Sequence, residues 1–154
     1  MNSTVFLTVL SGVITFVIGQ LIVKLVIEPV QEMKKTIGLI SHSMIEHANV
    51  IGNPGVPSDE MMRETSKHLR QLSSQLQAHL YLVPQYQKTA KIFGLPGKEK
   101  ILAASGSLLG LSNSVFRVDP SERIYEQNAK RVELVCDSLG IYMAEGDRLP
   151  KDQT

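Results

Sequence analysis

The first long element of the chain is apolar without any period. Residues 5–27, VFLTVLSGVITFVIGQLIVKLVI, carry a single charge, Lys24. About 23 residues at 1.5 Å rise make roughly 34 Å of helix, enough to cross a bilayer's hydrocarbon core with some tilt. After Pro29 the pattern changes to the period of an amphipathic helix. Val30, Met33, Ile37, Ile40, Met44, Ala48 and Ile51 form one stripe, and Met62, Thr65, Leu69, Leu72, Leu76, Leu80 and Val83 form a second. Near the end Ile124, Val132, Val135 and Leu139 make a seam flanked by Tyr125, Cys136 and Met143. The segment between, residues 101–116, reads ILAASGSLLGLSNSVF and has no charge at all. Opposite its Leu/Ile face lie Ala103, Gly106, Ser107, Gly110, Asn113 and Ser114. This predicts a helix buried on most sides, either the centre of a bundle or a contact surface between copies. Its length and its Ser/Asn content argue against a second membrane crossing.

Turn residues divide these stripes. Pro29 is expected to end or kink the first helix. Asn53-Pro54-Gly55-Val56-Pro57 predicts a loop, and Ser58-Asp59-Glu60 a capped helix start with an acidic first turn. Pro84 and Gly94-Leu95-Pro96-Gly97 bracket a short extra helical piece ending near Phe93. Asp119-Pro120-Ser121-Glu122 reads as another start signal, with Asp as cap and Pro at the first helical position. The expected fold is therefore all-α: an N-terminal transmembrane helix followed by an antiparallel four-helix cytoplasmic bundle. Residues 1–28 would be the anchor, 29–143 the bundle and 144–154 a flexible tail.

A signal peptide or a core helix are the competing readings of the apolar run. No basic residue precedes it and no Ala-x-Ala follows it, and a core helix of this length needs a larger protein around it. The bases Lys24, Lys34 and Lys35 lie within about 15 residues of its C-terminal side, which places the bulk of the chain in the cytoplasm by the positive-inside rule. The expected location is the cell's inner membrane, as a single-pass protein. The lone cysteine, Cys136, fits a reducing compartment. Sixteen Lys+Arg against fifteen Asp+Glu leave no basic field for nucleic acid, so no direct nucleic-acid binding is expected.

Within the anchor, Thr4, Thr8, Ser11, Gly12, Thr15 and Gly19 fall within about a third of the helical circle. Thr8-xxx-Gly12 and Thr15-xxx-Gly19 are small-xxx-small steps, which let helices approach closely in lipid. They nominate Thr8, Gly12, Thr15 and Gly19 as a self-association face. The competing reading is the ordinary composition of a single anchor. Gln20 and Lys24, one turn apart, would line a wet mouth between copies, or simply reach for the interface. The histidines do not propose a metal site. His42 and His47 are five apart rather than four, and His68 and His79 are about three turns apart. His47 borders an apolar stripe and reads as a core-edge residue. Gly94-Leu95-Pro96-Gly97-Lys98 lacks the spacing of a phosphate loop, and no cofactor is expected.

Arg63 and His68 form an R-x4-H motif that resembles the HEPN family of helical ribonucleases. The resemblance implies metal-independent RNA cleavage across a dimer, with His68 in acid/base chemistry and Arg63 steadying phosphate charge. Glu64 stands where that family often has a polar residue, and an incidental match on a surface helix is the alternative. The layout, an anchor followed by a small helical domain, resembles bacterial membrane accessory proteins of anti-phage defence, including CRISPR-associated ones. That likeness implies a homo-oligomer in the lipid bilayer that depolarises membranes or docks a cytosolic protein partner. A membrane-tethered HEPN-like ribonuclease is the alternative function.

Overall fold

Pro29 has no amide hydrogen, and its ring crowds the carbonyl of Leu25 four residues earlier. The chain meets this not by ending the helix but by widening one turn. Residues Val23–Ile27 form a π-turn in which the Glu28 amide reaches the Val23 carbonyl. Helix α1 (Ser3–Ile22) thus runs on into α2 (Glu28–Glu46) as one helix of 44 residues, about 66 Å long. Its N-terminal part is long and apolar enough to cross a membrane, and α1 buries none of its residues.

The computed structural model describes residues 3–117 and 123–149, and all regular structure among them is helical. After α2 come α3 (Ala48–Gly52), α4 (Asp59–Leu82), α5 (Tyr86–Phe93), α6 (Lys98–Ser114) and α7 (Arg123–Leu139). A 3-10 turn, Glu145–Asp147, closes the described chain. The start signal at residues 119–122 lies outside the described residues. Ser58 caps α4 as its sequence suggests, its hydroxyl accepting from the Met61 amide. The short piece after Pro84 is α5, which ends on Gly94 at φ 67°, where the Leu95 amide closes onto the Ala90 carbonyl at 2.9 Å.

These helices pack into a bundle in which α4 lies on α2 and α6, and α6 also lies on α7. The whole expected stripe of α4, from Met62 to Val83, is buried. In the α2 segment the helix breaks at His47, whose backbone (φ −99°, ψ 11°) leaves the helical region. The break shifts the phase, so Val50 and Ile51 are buried while Ala48 is exposed. On α7, Ile124, Val135 and Leu139 enter the core and Tyr125 stays outside. Cys136 is buried, and burial, with Asp137 nearby, pushes its thiol above the usual range, so it packs rather than reacts. The segment read as the start of a loose tail returns to α7. Arg148 pairs with Asp137 at 2.9 Å, and the Leu149 amide donates to Glu133 at 2.8 Å.

The uncharged part of α6, after Lys100, occupies the centre of this packing, where Ala104, Ser105, Ser107, Ser112 and Ser114 are buried while Ala103, Gly106 and Asn113 stay exposed. Ser73 and Ser105 each donate to the other's carbonyl, at 2.9 and 3.1 Å, while Gln77 donates to the Ser105 hydroxyl at 2.8 Å. Ser66 donates to the Ser112 carbonyl at 2.8 Å. On the other side Ser114 donates to Asn128 at 2.7 Å, and the Asn128 amide donates to the Ile51 carbonyl at 2.9 Å. A Cβ at Gly110 would stand 2.8 Å from Nε of Arg131, so glycine makes room for that guanidinium beside the helix. A strip of α6 remains uncovered, with Leu102, Gly106, Leu109, Asn113 and Phe116 exposed.

Two substitutions test this packing by different physics. Leu76, fully buried in the middle of α4, should cost about 2–5 kcal/mol on truncation to Ala, read by chemical denaturation. Asn128→Ala should cost roughly 1–3 kcal/mol for the Ile51 carbonyl it leaves unpaired, while the Ser114 hydroxyl keeps the Leu111 carbonyl at 2.9 Å. Parental stability in either variant would show that its environment is not the packed one described.

Candidate functional site

The small-residue face of α1 looks into open space. No atom lies within 4 Å of a Cβ built at Gly12 or Gly19, and Thr8 and Thr15 are exposed. The Thr8 hydroxyl donates to the Thr4 carbonyl at 2.9 Å, and Ser11 donates to the Thr8 carbonyl at 3.0 Å. These hydroxyls are satisfied within their own helix, the condition for resting in hydrocarbon without a partner. Lys24 does not turn back toward Gln20. It pairs with Glu28 at 2.8 Å, one turn on, because an opposite charge at i+4 offers more than a neutral amide.

The second candidate lies at the far end of the bundle. His68 on α4 meets His47 at the end of α2, with ring centroids 5.4 Å apart and planes at 62°. The pair opens into a shallow cleft of about 400 Å³ lined by Glu46, His47, Glu64, Lys67, His68 and Gln71. Arg63 is exposed and is not part of this lining, since five residues of α-helix turn it about 140° from His68. The structure therefore brings His68 to His47 and not to Arg63. Two carboxylates against one lysine give the cleft a negative balance, which disfavours a phosphate-bearing substrate.

His47 is held mostly out of solvent. Its Nδ1 lies 3.2 Å from the Thr65 hydroxyl and its Nε2 3.8 Å from Glu46. Burial lowers its pKa first, and His68 and His42 push the same way against Glu46 and Glu64. His79, farther along α4, sits with Nε2 3.0 Å from the Thr36 hydroxyl. Its buried Nδ1 has no hydrogen-bond partner among the described residues, and burial lowers its pKa against a weaker pull from Glu32. The shared flank of His68 and His79 is thus the one turned toward α2. The His47–His68 pairing was not visible in the sequence, because the His47 break sets where that ring points. Among the described residues no group of three His, Cys, Asp or Glu gathers as a metal site.

No family model matches this chain, and no curated protein or solved structure does so either. What the site can do must come from its own geometry.

The two lowered histidines have a direct consequence for stability. Each binds its proton less readily when folded than when unfolded, where the value is near 6.5. The unfolded state therefore takes up more protons as pH falls, and stability is lost from about pH 6.5 downward toward the lowered folded values. Melting followed by circular dichroism should show a lower midpoint at about pH 5.5 than at about pH 7.5, with most carboxylates still ionised. In the double variant His47→Gln, His79→Gln that drop should shrink. An unchanged drop would assign the acid sensitivity to other groups.

Proposed function

We propose that this chain is a single-pass membrane protein that self-associates, with its helical domain in the cytoplasm. It acts as a pore-like membrane effector or as a scaffold for a cytosolic partner. The observation that carries this reading is the exposure of every side of α1, an apolar helix that packs on nothing yet is rigidly continuous with α2. In water such a surface far exceeds what a monomer leaves uncovered, whereas in lipid it costs nothing. The four long helices after the anchor, α2, α4, α6 and α7, are read as an antiparallel bundle. The hydrogen-bonded pairs Thr36–His79 and Thr65–His47, Ser66–Ser112 and Ser73–Ser105 support this, since numbers rise on one helix as they fall on the next.

Self-association is favoured at the open face of Thr8, Gly12, Thr15 and Gly19, where nothing of the chain's own blocks close approach. The uncovered strip of α6 is the second surface of that kind. The ribonuclease reading draws on the half-buried imidazole pair His47–His68, two side chains of acid/base type in one cleft. It is weakened by the displacement of Arg63 from that cleft and by the cleft's negative balance.

The experiment measures particle mass in detergent, resistance to carbonate washing, and membrane potential under overexpression. The parent should stay in the membrane with an oligomer's mass. Gly12→Leu with Gly19→Leu should reduce that mass without releasing the protein. His68→Ala should leave the cellular effect standing, where true acid/base catalysis would lose typically 10²–10⁴-fold. Loss of effect in His68→Ala, with fold and mass preserved, would promote the ribonuclease. A periplasmic reporter active at the C-terminus would reverse the orientation.

A further inference from the structure

The end of the bundle nearest the anchor is built from the start of α2, the last turn of α4, α5, the turn before α6 and the end of α7. Tyr86 at the start of α5 fixes this arrangement. Its hydroxyl donates to the Pro96 carbonyl at 2.7 Å and lies 3.4 Å from the sulfur of Met33, just beyond the π-turn. Burial raises the Tyr86 pKa to about 12, so the phenol keeps the proton it donates. A cleft of about 900 Å³ opens at this end, with Lys34, Lys91, Lys98 and Lys100 in its walls together with Glu99 and Asp137. The Asp137 carboxylate is already paired with Arg148.

Two further features gather here. Large side chains stand in the open: Tyr81 is 86% exposed, Leu82 60%, Ile92 78% and Tyr142 89%. Beside them lie lysines with no carboxylate within ion-pair distance among the described residues, namely Lys34, Lys88, Lys91, Lys98 and Lys100. Lys24 and Lys35, by contrast, are paired with Glu28 and Glu32. Tyrosines, aliphatic tips and unpaired lysines together have the composition of a membrane–water interface. The distance agrees. Lys34 is seven residues beyond Ile27, about 10 Å along the helix, and a lysine side chain from there reaches the headgroup layer.

We propose that this end of the bundle is a binding surface for anionic phospholipid headgroups. The cleft of Lys34, Lys91, Lys98 and Lys100 receives the headgroup phosphate, and Tyr81, Leu82, Ile92 and Tyr142 settle into the interface around it. The inference rests on the membrane-anchored reading above and adds which surface of the domain lies on the bilayer and which lipids it prefers. Each lysine near an anionic surface contributes roughly fivefold to the attraction, so several acting together add substantially to the hold of α1.

The chain contains no Trp, so single reporters can be placed without interference. Ile92→Trp and Tyr142→Trp probe the proposed surface, with Tyr81→Trp as a further position. Val56→Trp, in the loop whose Gly55 amide bonds the Val115 carbonyl, reports from the opposite end. The full chain is reconstituted into phosphatidylcholine vesicles with and without phosphatidylglycerol, using brominated lipid as quencher. Emission from the Ile92→Trp and Tyr142→Trp variants should shift to shorter wavelength and be quenched, more strongly with phosphatidylglycerol, while the Val56→Trp reporter stays in water. Changing Lys88, Lys91, Lys98 and Lys100 together to Glu should return quenching to the phosphatidylcholine level. Adding soluble inorganic phosphate should not release the domain, and release at constant ionic strength would make a free anion the ligand and overturn the lipid assignment. Protection from aqueous quencher without quenching by bromolipid would mean that a second copy covers this end, which also overturns it. Unquenched reporters in a carbonate-resistant protein would sink this inference and leave the anchor standing, whereas carbonate release would sink both.

Discussion

Ser73 and Ser105 face each other with hydroxyl oxygens 2.8 Å apart, each bonded to the other's backbone. A side chain as short as serine reaches the opposite carbonyl only if the two helices approach toward the near end of the usual 8–10 Å spacing. The rest of the domain depends on that approach. It is what lets α6 sit between α4 and α7, and it explains why α6 carries serine and glycine where an ordinary amphipathic helix carries charge. With α4 on one side and α7 on the other, a charged residue on either face would be stranded away from water. The uncovered strip through Leu102, Leu109 and Phe116 lies along the remaining side.

Polar groups in this core are high-stakes and mostly satisfied, the Ser43 hydroxyl and His79 Nδ1 being the exceptions among the described residues. Ser66, Ser73, Ser105, Ser114 and Asn128 are buried, and each finds a partner on another helix. Bonds between fixed partners discriminate among registers in a way that leucine against leucine does not. A slip of α6 by one turn would carry the Ser105 hydroxyl away from Ser73 and Gln77, at about 1–3 kcal/mol for each group left without a partner. The apolar stripe of α4 supplies cohesion, and the serine ladder selects the register in which that stripe is used.

Helix α1 imposes a different constraint. Because the π-turn at Pro29 preserves the helix, the direction of α1 is transmitted to α2 and thence to the bundle without a hinge of the loop type. Orientation of the domain relative to α1 is thereby set by helix geometry. This is why the near end of the bundle keeps a fixed position relative to α1, and why the His47–His68 cleft is carried to the far end. A proline that stopped the helix would have uncoupled the two.

Much of this was legible in the residues themselves. An uninterrupted apolar run needs only its length to declare a membrane-sized helix, and the 3.6-residue stripe of α4 predicted its buried face residue by residue, because both signals are local. Ser58 and Gly94 marked helix ends for the same reason. What the chain's order could not reveal depended on partners far apart in sequence. That α6 is central rather than chiefly a contact surface between copies, that its serines pair with α4, and that Asn128 reaches the Ile51 carbonyl follow only from how helices stack. Arg63 and His68 looked like a unit because they are five residues apart, yet helical geometry separates them and tertiary packing gives His68 to His47 instead. Lys34, Lys91 and Lys98 look unrelated in sequence, and only the folding of α5 against Met33 gathers them at the end of the bundle nearest α1. Periodicity records which face of a helix is buried; it carries no record of what is buried against it.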